Sequence, residues 1–472
     1  MLGDRRLVAG GVALAGGLAV VCAVWRRRHR LVWLKGQGWL VGAEERGVIR
    51  FLGVPFASAR RWRSPRRPPW WLVPRRSPRV LFRCPQPNVG WNDASGKTVF
   101  RCHQLYESES ECLNLNVWAP AGSTTGAAGC PIIVYIHGGA GKLLSPHDDD
   151  FDGEHLARRH GVVYVALAYR LGALGFLAHP ALSAADEAAA SEGASEEAGS
   201  GNFAMLDLLA GLRWVRAHGG RFGGDVTNVT IWGLSTGAQL VANLLVCPLA
   251  VGLFHRAMIQ SCVDLTNVRE LRGRHDVWQA TPAEDWGRDL ARALGCERPD
   301  PAAELEAFRQ VPVEKLIEAS WIREATDVYE PCVDPRTHVR AVKPRTSLEA
   351  LLGGSFHRVP VMIGVTEHDG LGKMELEWTM LEDAVTPDEY RRLLARKFGA
   401  DRLADALQHY PASSAAEVEG ALGAISNDLW YHMGSWAMAD LLSGAPTPQP
   451  VYFYTLSEPG RTSHGSILCR DF

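Results

Sequence analysis

The run Asn228–Leu240, NVTIWGLSTGAQL, constrains this chain more than any other stretch. Val229–Trp232 is short, apolar and rich in β-branched residues, the pattern of a buried strand. Gly233-Leu-Ser-Thr-Gly237 follows, and Ala238–Leu245 returns to helical composition. A strand, a G-x-S-x-G turn and a helix together hold a serine on a sharp, strained bend with its hydroxyl exposed. Glycine is required at 233 and 237, where a side chain would strike neighbouring backbone. The helix that begins after Ser235 aims its N–H groups and positive dipole end at the same point, where an oxyanion could develop.

The surrounding pattern sets the fold class. Pro131–Ile136, Val162–Tyr169, Val359–Gly364 and Val451–Leu456 read as further buried strands, and Asn202–His218 has the apolar spacing of a helix. Helical regions are expected over about 282–324 and 375–437. Strands alternating with helices predict an α/β fold with a mainly parallel sheet covered on both faces. Trp33–Phe56 alternates apolar and polar residues around Gly36, Gly38 and Gly42, predicting a small antiparallel hairpin or meander before that sheet. The stretch 183–200, SAADEAAASEGASEEAGS, is acidic and of low complexity, and reads as a solvated surface insertion.

Composition narrows the partners. The chain has 472 residues, 46% hydrophobic and 22% charged, with a formal net charge of −2. That is enough apolar material for a large core, and the near-neutral balance gives no reason to expect a nucleic-acid partner. Ten cysteines are too few for a disulfide-built scaffold. No C-x-x-C pair or His/Cys cluster has zinc spacing, so no structural metal is expected.

Residues 1–31 stand apart from the body at 32–472. Residues 7–25, LVAGGVALAGGLAVVCAVW, are uncharged and mostly apolar, and Arg26-Arg-Arg-His-Arg30 follows. The length suffices to span a bilayer as a helix. As a signal peptide the segment has a basic start at Arg5 and Arg6 and a small-residue site at Val21-Cys-Ala23. As a retained anchor it has greater length and a basic stop, and a membrane partner through 7–25 is the expectation here. The positive-inside rule would put Arg26–Arg30, and the body with it, in the cytosol.

Nucleophilic chemistry at a serine needs a base in reach, an acid to orient the base, and donors for the oxyanion. When the serine sits on such a turn, the acid and then the histidine follow on loops after later strands. Asp369 lies just past the strand ending at Ile363, and His464 just past the strand ending near Leu456. Glu367 and, more distantly, Asp334 and Asp383 compete with Asp369 for the acid. The glycine-rich loop His137-Gly-Gly-Ala140 follows a strand upstream of Ser235, where further oxyanion donors belong.

Taken in order, these segments resemble the type-B carboxylesterases, the carboxylesterase/cholinesterase family, from about Gly36 to Gly465. The resemblance rests on Phe51-Leu-Gly-Val-Pro-Phe-Ala57, Cys112-Leu-Asn-Leu-Asn-Val117, Tyr135-Ile-His-Gly-Gly-Ala140 and Tyr169-Arg-Leu-Gly-Ala-Leu-Gly-Phe176. It continues through Gly201-Asn202 with Asp207, Phe222-Gly-Gly-Asp225, Val229–Gly237, Gly252-Leu-Phe254, Pro331 with Asp334, and Ser463-His-Gly465. It implies an α/β-hydrolase fold and a serine hydrolase cleaving carboxylic esters through an acyl-enzyme, with no cofactor. It implies Ser235 as nucleophile, His464 as base and Asp369 as acid, where many members carry Glu. Oxyanion donors would come from Gly138, Gly139 and Thr236, with Ala140 beside them. A disulfide between Cys84 and Cys112 is also implied, worth about 3–4 kcal/mol through the unfolded chain. That bridge points to the secretory pathway, against the cytosolic side favoured by Arg26–Arg30.

The departures are specific. Leu234 stands where Glu usually precedes the serine, Thr236 replaces Ala, and Gly141 replaces an aromatic, which is expected to open the pocket. Ser110 replaces an acidic residue common two places before the cysteine. The chain ends eight residues after His464, where relatives continue into further helices. Leu234 and the placing of Trp91 argue against choline specificity. The sequon Asn228-Val-Thr230 enters a strand and is expected to carry no glycan. The rival to the hydrolase reading is a catalytically silent, neuroligin-like adhesion or scaffold protein on the same fold, which has lost the serine that this chain keeps at 235.

Overall fold

The computed structural model describes residues 29–76, 81–87, 105–123, 129–191, 199–262, 264–265, 269–273, 281–322, 329–335, 341–367, 369, 386–447 and 449–457. Three strands open it as an antiparallel meander: β1 (His29–Leu34), β2 (Gly38–Glu45) and β3 (Val48–Pro55). Short strands β4 (Arg75–Arg76), β5 (Leu81–Arg83) and β6 (Leu105–Glu107) follow, with β4 beside β2 and β5 beside β6. The main sheet is completed by β7 (Asn114–Pro120), β8 (Cys130–Ile136), β9 (Val163–Leu167), β10 (Gly224–Leu234), β11 (Arg256–Gln260), β12 (Val361–Thr366) and β13 (Val451–Leu456). Among the described residues its order is β1-β2-β3-β7-β9-β8-β10-β11-β12-β13.

From β9 through β13 every neighbouring pair is parallel. These strands carry Ile132, Val134, Val165, Ile231, Ile259 and Ile363, all essentially buried. β-Branched residues fit a pleated surface covered on both faces, so this part of the sheet has helices on each side. Helix α1 (Glu154–His160) packs near β7, and the short α2 (Gly172–Phe176) leads into α3 (Pro180–Ser191). Helix α4 (Phe203–His218) and α5 (Thr236–Val246) are buried on nearly every face, consistent with their Leu, Ala and Val content. The middle region gives α6 (Ala283–Ala293), α7 (Pro301–Arg309), α8 (Val313–Ile322) and α9 (Ser347–Leu352). The later one gives α10 (Pro387–Phe398), α11 (Leu403–His409), α12 (Ala415–Asn427) and α13 (Met433–Ser443). Helix α10 starts at a capping box, Thr386 and Glu389 each accepting the other's backbone N–H. Tyr390, Leu394, Val418 and Ile425 make α10 and α12 a satellite core of their own.

Three sequence expectations change here. The acidic stretch 183–200 is not a loop throughout: Ser183–Ser191 belongs to α3, because alanine and glutamate favour helix whatever their exposure. Tyr329 packs against Gly141 and lies near the Phe176 ring, so the space left by a missing aromatic is filled from another segment. The expected Cys84–Cys112 disulfide is not formed, and both residues are buried free thiols. Each sulfur has its own backbone partner: Leu171 N–H donates to Cys84 Sγ (3.2 Å), and the Cys112 thiol faces the Glu109 carbonyl (3.6 Å). A hydrogen bond to Cys84 together with burial pushes the Cys112 thiol well up. A suppressed thiolate at a buried site is unreactive. Iodoacetamide at pH 8 should therefore leave Cys112 unmodified in the native chain, and Cys84 as well because it is buried, and alkylate both in guanidinium without reductant. Peptide mapping checks this, and alkylation that still requires reductant would restore the bridge.

Asn228, the sequon residue, is half-buried in β10 and its Oδ1 accepts from Arg256. Among the described residues no helix is long and apolar enough to cross a membrane. The segment 7–25 lies outside the described residues.

Candidate active site

Parallel strands all end on the same side, and register lines up those ends. Gly233 pairs with Ile136, Leu234 with Gln260, Gln260 with Gly364, and Gly364 with Tyr454. The residues that follow these strands therefore share one rim, which is where open parallel sheets bind their ligands.

Ser235 sits on that rim between β10 and α5. Its backbone is at φ 55°, ψ −125°, a region that L-residues seldom adopt and that costs of order 1–3 kcal/mol. Two hydrogen bonds hold it there: Ser235 N–H donates to Gln260 O (2.9 Å), and Gln239 N–H donates to Ser235 O (3.0 Å). The turn closes only because Gly237 has no side chain. A Cβ there would lie 2.1 Å from the Ile136 carbonyl oxygen. Thr236 keeps its backbone as the first residue of α5, and its side chain is buried.

The glycine loop after β8 rests directly on the serine. A Cβ on Gly138 would lie 2.7 Å from Leu234 O and 3.2 Å from Ser235 Cβ, so any larger residue would displace one or the other. Gly139 carries the turn by accepting from Lys142 N–H (2.9 Å) and Leu143 N–H (3.0 Å). Ala140 follows at φ 55°. His137 is the wedge beneath. Its Nδ1 is 3.0 Å from Gly138 O, its ring stacks on Tyr169 at 4.5 Å, and Tyr169 OH donates to His137 O (2.8 Å). Burial pulls the His137 imidazole down to about 4, so it is neutral and structural at pH 7.

Asp369 lies past β12 on the same rim. One carboxylate oxygen accepts from Ser261 Oγ (2.7 Å) and from Thr366 N–H (2.8 Å). Burial raises this carboxyl above its usual value, and the two donors oppose that rise. Glu367 has an exposed side chain, and Asp334 is buried, its backbone N–H donating to Lys343 O. Asp383 and His464 lie outside the described residues.

Several residues here were not anticipated. Ser261 follows β11 as Ser235 follows β10, and a polar pair, Gln260-Ser261, closing an apolar strand was its only signal. His432 Nε2 lies 2.8 Å from the Thr366 carbonyl, tying α12–α13 to the backbone that holds Asp369. Glu330 is buried beneath α5 and accepts from Gln239 Nε2 (2.9 Å). Burial pushes the Glu330 carboxyl up to about 7, with Arg269 and Lys343 opposing. No local pattern marks Glu330 in the sequence. Among the described residues no cluster of His, Cys, Asp or Glu could hold a metal ion.

Known proteins bear on this arrangement. The model of the carboxylesterase family matches residues 33–468. Carboxylesterase 3 from Pongo abelii is 32% identical over 367 residues, covering 76% of this chain and 56% of its own length. This chain thus spans little more than half of that relative. Fumonisin B1 esterase from Sphingopyxis macrogoltabida is 29% identical over 455 residues, 94% of this chain and 74% of its own. A solved PNB esterase superposes with a TM-score of 0.70 at 27% identity, over 90% of this chain and 79% of the other.

Proposed function

Because this chain belongs to the carboxylesterase family, we propose that it hydrolyses carboxylic esters of small molecules through an acyl-enzyme. The backbone of Ser235 carries the reading: a strained conformation at the end of the central strand, with Gly138 against its Cβ and a helix N-terminus beyond. In this reading Ser235 Oγ attacks the ester carbonyl as His464 takes its proton. Asp369 orients the imidazole and balances the imidazolium. The amides of Gly138, Gly139 and Thr236, with Ala140 beside them, face the oxyanion of the tetrahedral intermediate. His464 then gives the proton to the leaving alkoxide, the alcohol departs, and water repeats the sequence on the acyl group. No cofactor enters.

His464 follows Leu456 by eight positions in the sequence, and β13 delivers the chain to the rim where Ser235 and Asp369 lie. Residues 7–25 anchor the protein in a bilayer. The neuroligin-like alternative gains nothing from a serine held in strain, since a scaffold has no use for it.

The test is pre-steady-state hydrolysis of p-nitrophenyl butyrate by the full chain. A burst of one p-nitrophenolate per chain is expected, with a fluorophosphonate blocking it and labelling Ser235. A well-folded protein with no burst and no label would overturn the hydrolase reading.

A further inference from the structure

A surface at the opposite margin of the sheet plays no part in this chemistry. Trp33 on β1 and Trp39 on β2 face each other across the hairpin with ring centroids 5.2 Å apart. Trp71 is tied to the same hairpin: its Nε1–H donates to Trp39 O (2.9 Å) and its N–H to Gln37 O (2.8 Å). The Arg75 guanidinium lies 5.5 Å from the Trp71 ring centre, and β4 pairs Arg75 and Arg76 with Leu40 and Val41. These contacts gather a group of exposed apolar side chains, with Trp39 43%, Trp70 54%, Leu72 79% and Val73 76% accessible. Soluble surfaces seldom keep tryptophan, leucine and valine together in water unless something covers them.

Past the two glutamates that end β2, Glu44 and Glu45, the charge is of one sign. Between Arg46 and Asn92 the sequence holds no aspartate or glutamate, while arginines recur in pairs at Arg66–Arg67 and Arg75–Arg76. Tryptophan beside arginine is the composition of a membrane interface, where indole rings sit at headgroup depth and cations meet anionic lipid. The chain's own geometry brings a bilayer to this face. Only Arg26, Arg27 and Arg28 separate the apolar segment ending at Trp25 from β1, which begins at His29. Fully extended, that connection reaches about 14 Å, while the headgroup layer is about 5–8 Å thick.

We propose that the tryptophan–arginine face formed by the β1–β2 hairpin and residues Trp70–Arg76 docks on the surface of an anionic lipid bilayer. The inference rests on the reading of residues 7–25 as a membrane anchor. An anchored chain cannot hold the start of β1 far from the headgroups, and Trp33 lies four residues along that strand. Docking fixes the body's orientation on the membrane, with β1, the edge strand, against lipid.

The experiment is trypsin digestion of the full chain reconstituted in vesicles of phosphatidylcholine, with and without phosphatidylserine. Mass spectrometry follows cleavage after Arg66, Arg75 and Arg76. Anionic vesicles should slow these cleavages at least about tenfold relative to phosphatidylcholine alone, and high salt should reverse the effect. The triple variant Trp70→Ser, Leu72→Ser, Val73→Ser keeps every cleavage site and should lose the protection while retaining esterase activity. Equal cleavage in both vesicle types, from a chain that floats with vesicles after carbonate washing, overturns the surface and leaves the anchor standing. A chain stripped by carbonate yet still protected on anionic vesicles removes the anchor and keeps the surface. Protection without any lipid assigns the face to residues 7–25 or to a second copy, and overturns the proposal.

Discussion

Ser235→Ala will lower kcat for p-nitrophenyl butyrate by about 10⁶-fold, and Asp369→Ala by about 10⁴-fold. The difference follows from what each group does. In the proposed mechanism no acyl-enzyme forms without the serine hydroxyl, and only binding and oxyanion stabilisation remain. Without Asp369 the histidine keeps its place in the chain but loses the group that selects its tautomer. Stability separates a chemical loss from a structural one. Alanine accepts the same backbone as serine, so the unfolding free energy of Ser235→Ala should change by no more than about 0.5 kcal/mol. Ser261 is the internal control. It stands in the matching position on the next strand at φ 52°, and it hydrogen-bonds Asp369. Its hydroxyl is committed to the carboxylate. Ser261→Ala should cost about tenfold through Asp369 alone. Steady-state kinetics on the variants decides. Residual activity of Ser235→Ala above about one part in a hundred, titratable by fluorophosphonate, would move the nucleophile elsewhere.

What could be read in advance follows from where each constraint lies. The central strand and its turn were legible because part of the steric demand is local: a Cβ on Gly233 would lie 2.2 Å from Gly237 O, four residues on. The buried strands were legible for the same reason, since each carries its own β-branched run. Partnerships across strands were not. Ser261 reaches Asp369 only because β11 and β12 pair in one particular register, and Gln239 meets Glu330 only because α5 covers that segment. Neither register nor helix docking is written in a window of a few residues. Cys84 and Cys112 show the limit of carrying over a pairing from resemblance. The expected residues are neighbours, yet each sulfur has found a backbone partner as a thiol.

Asp207→Ala will destabilise the protein by about 3–5 kcal/mol. Asp207 and Arg170 form an ion pair inside the protein, their side chains 0% and 2% accessible. Arg170 Nε donates to one carboxylate oxygen and its second terminal nitrogen to the other, both at 2.7 Å, and Arg170 N–H adds a third bond at 3.0 Å. Its remaining nitrogen reaches the Arg63 carbonyl (2.9 Å). The pair thereby joins three pieces: the segment before β4, the end of β9, and α4. Removing the carboxylate leaves a guanidinium buried without a counter-charge, which costs far more than the lost contacts. Urea unfolding should show the lower midpoint with an unchanged slope. The double variant Arg170→Met, Asp207→Leu separates the two possible sources of that loss. If the cost is an unpaired charge, apolar replacement of both partners should recover most of the stability that Asp207→Ala forfeits. If the cost is the tie between the three segments, the double variant will be at least as unstable as the single one. The dense bonding of Arg170 to backbone carbonyls favours a partial recovery, because part of what Arg170 holds together is not Asp207.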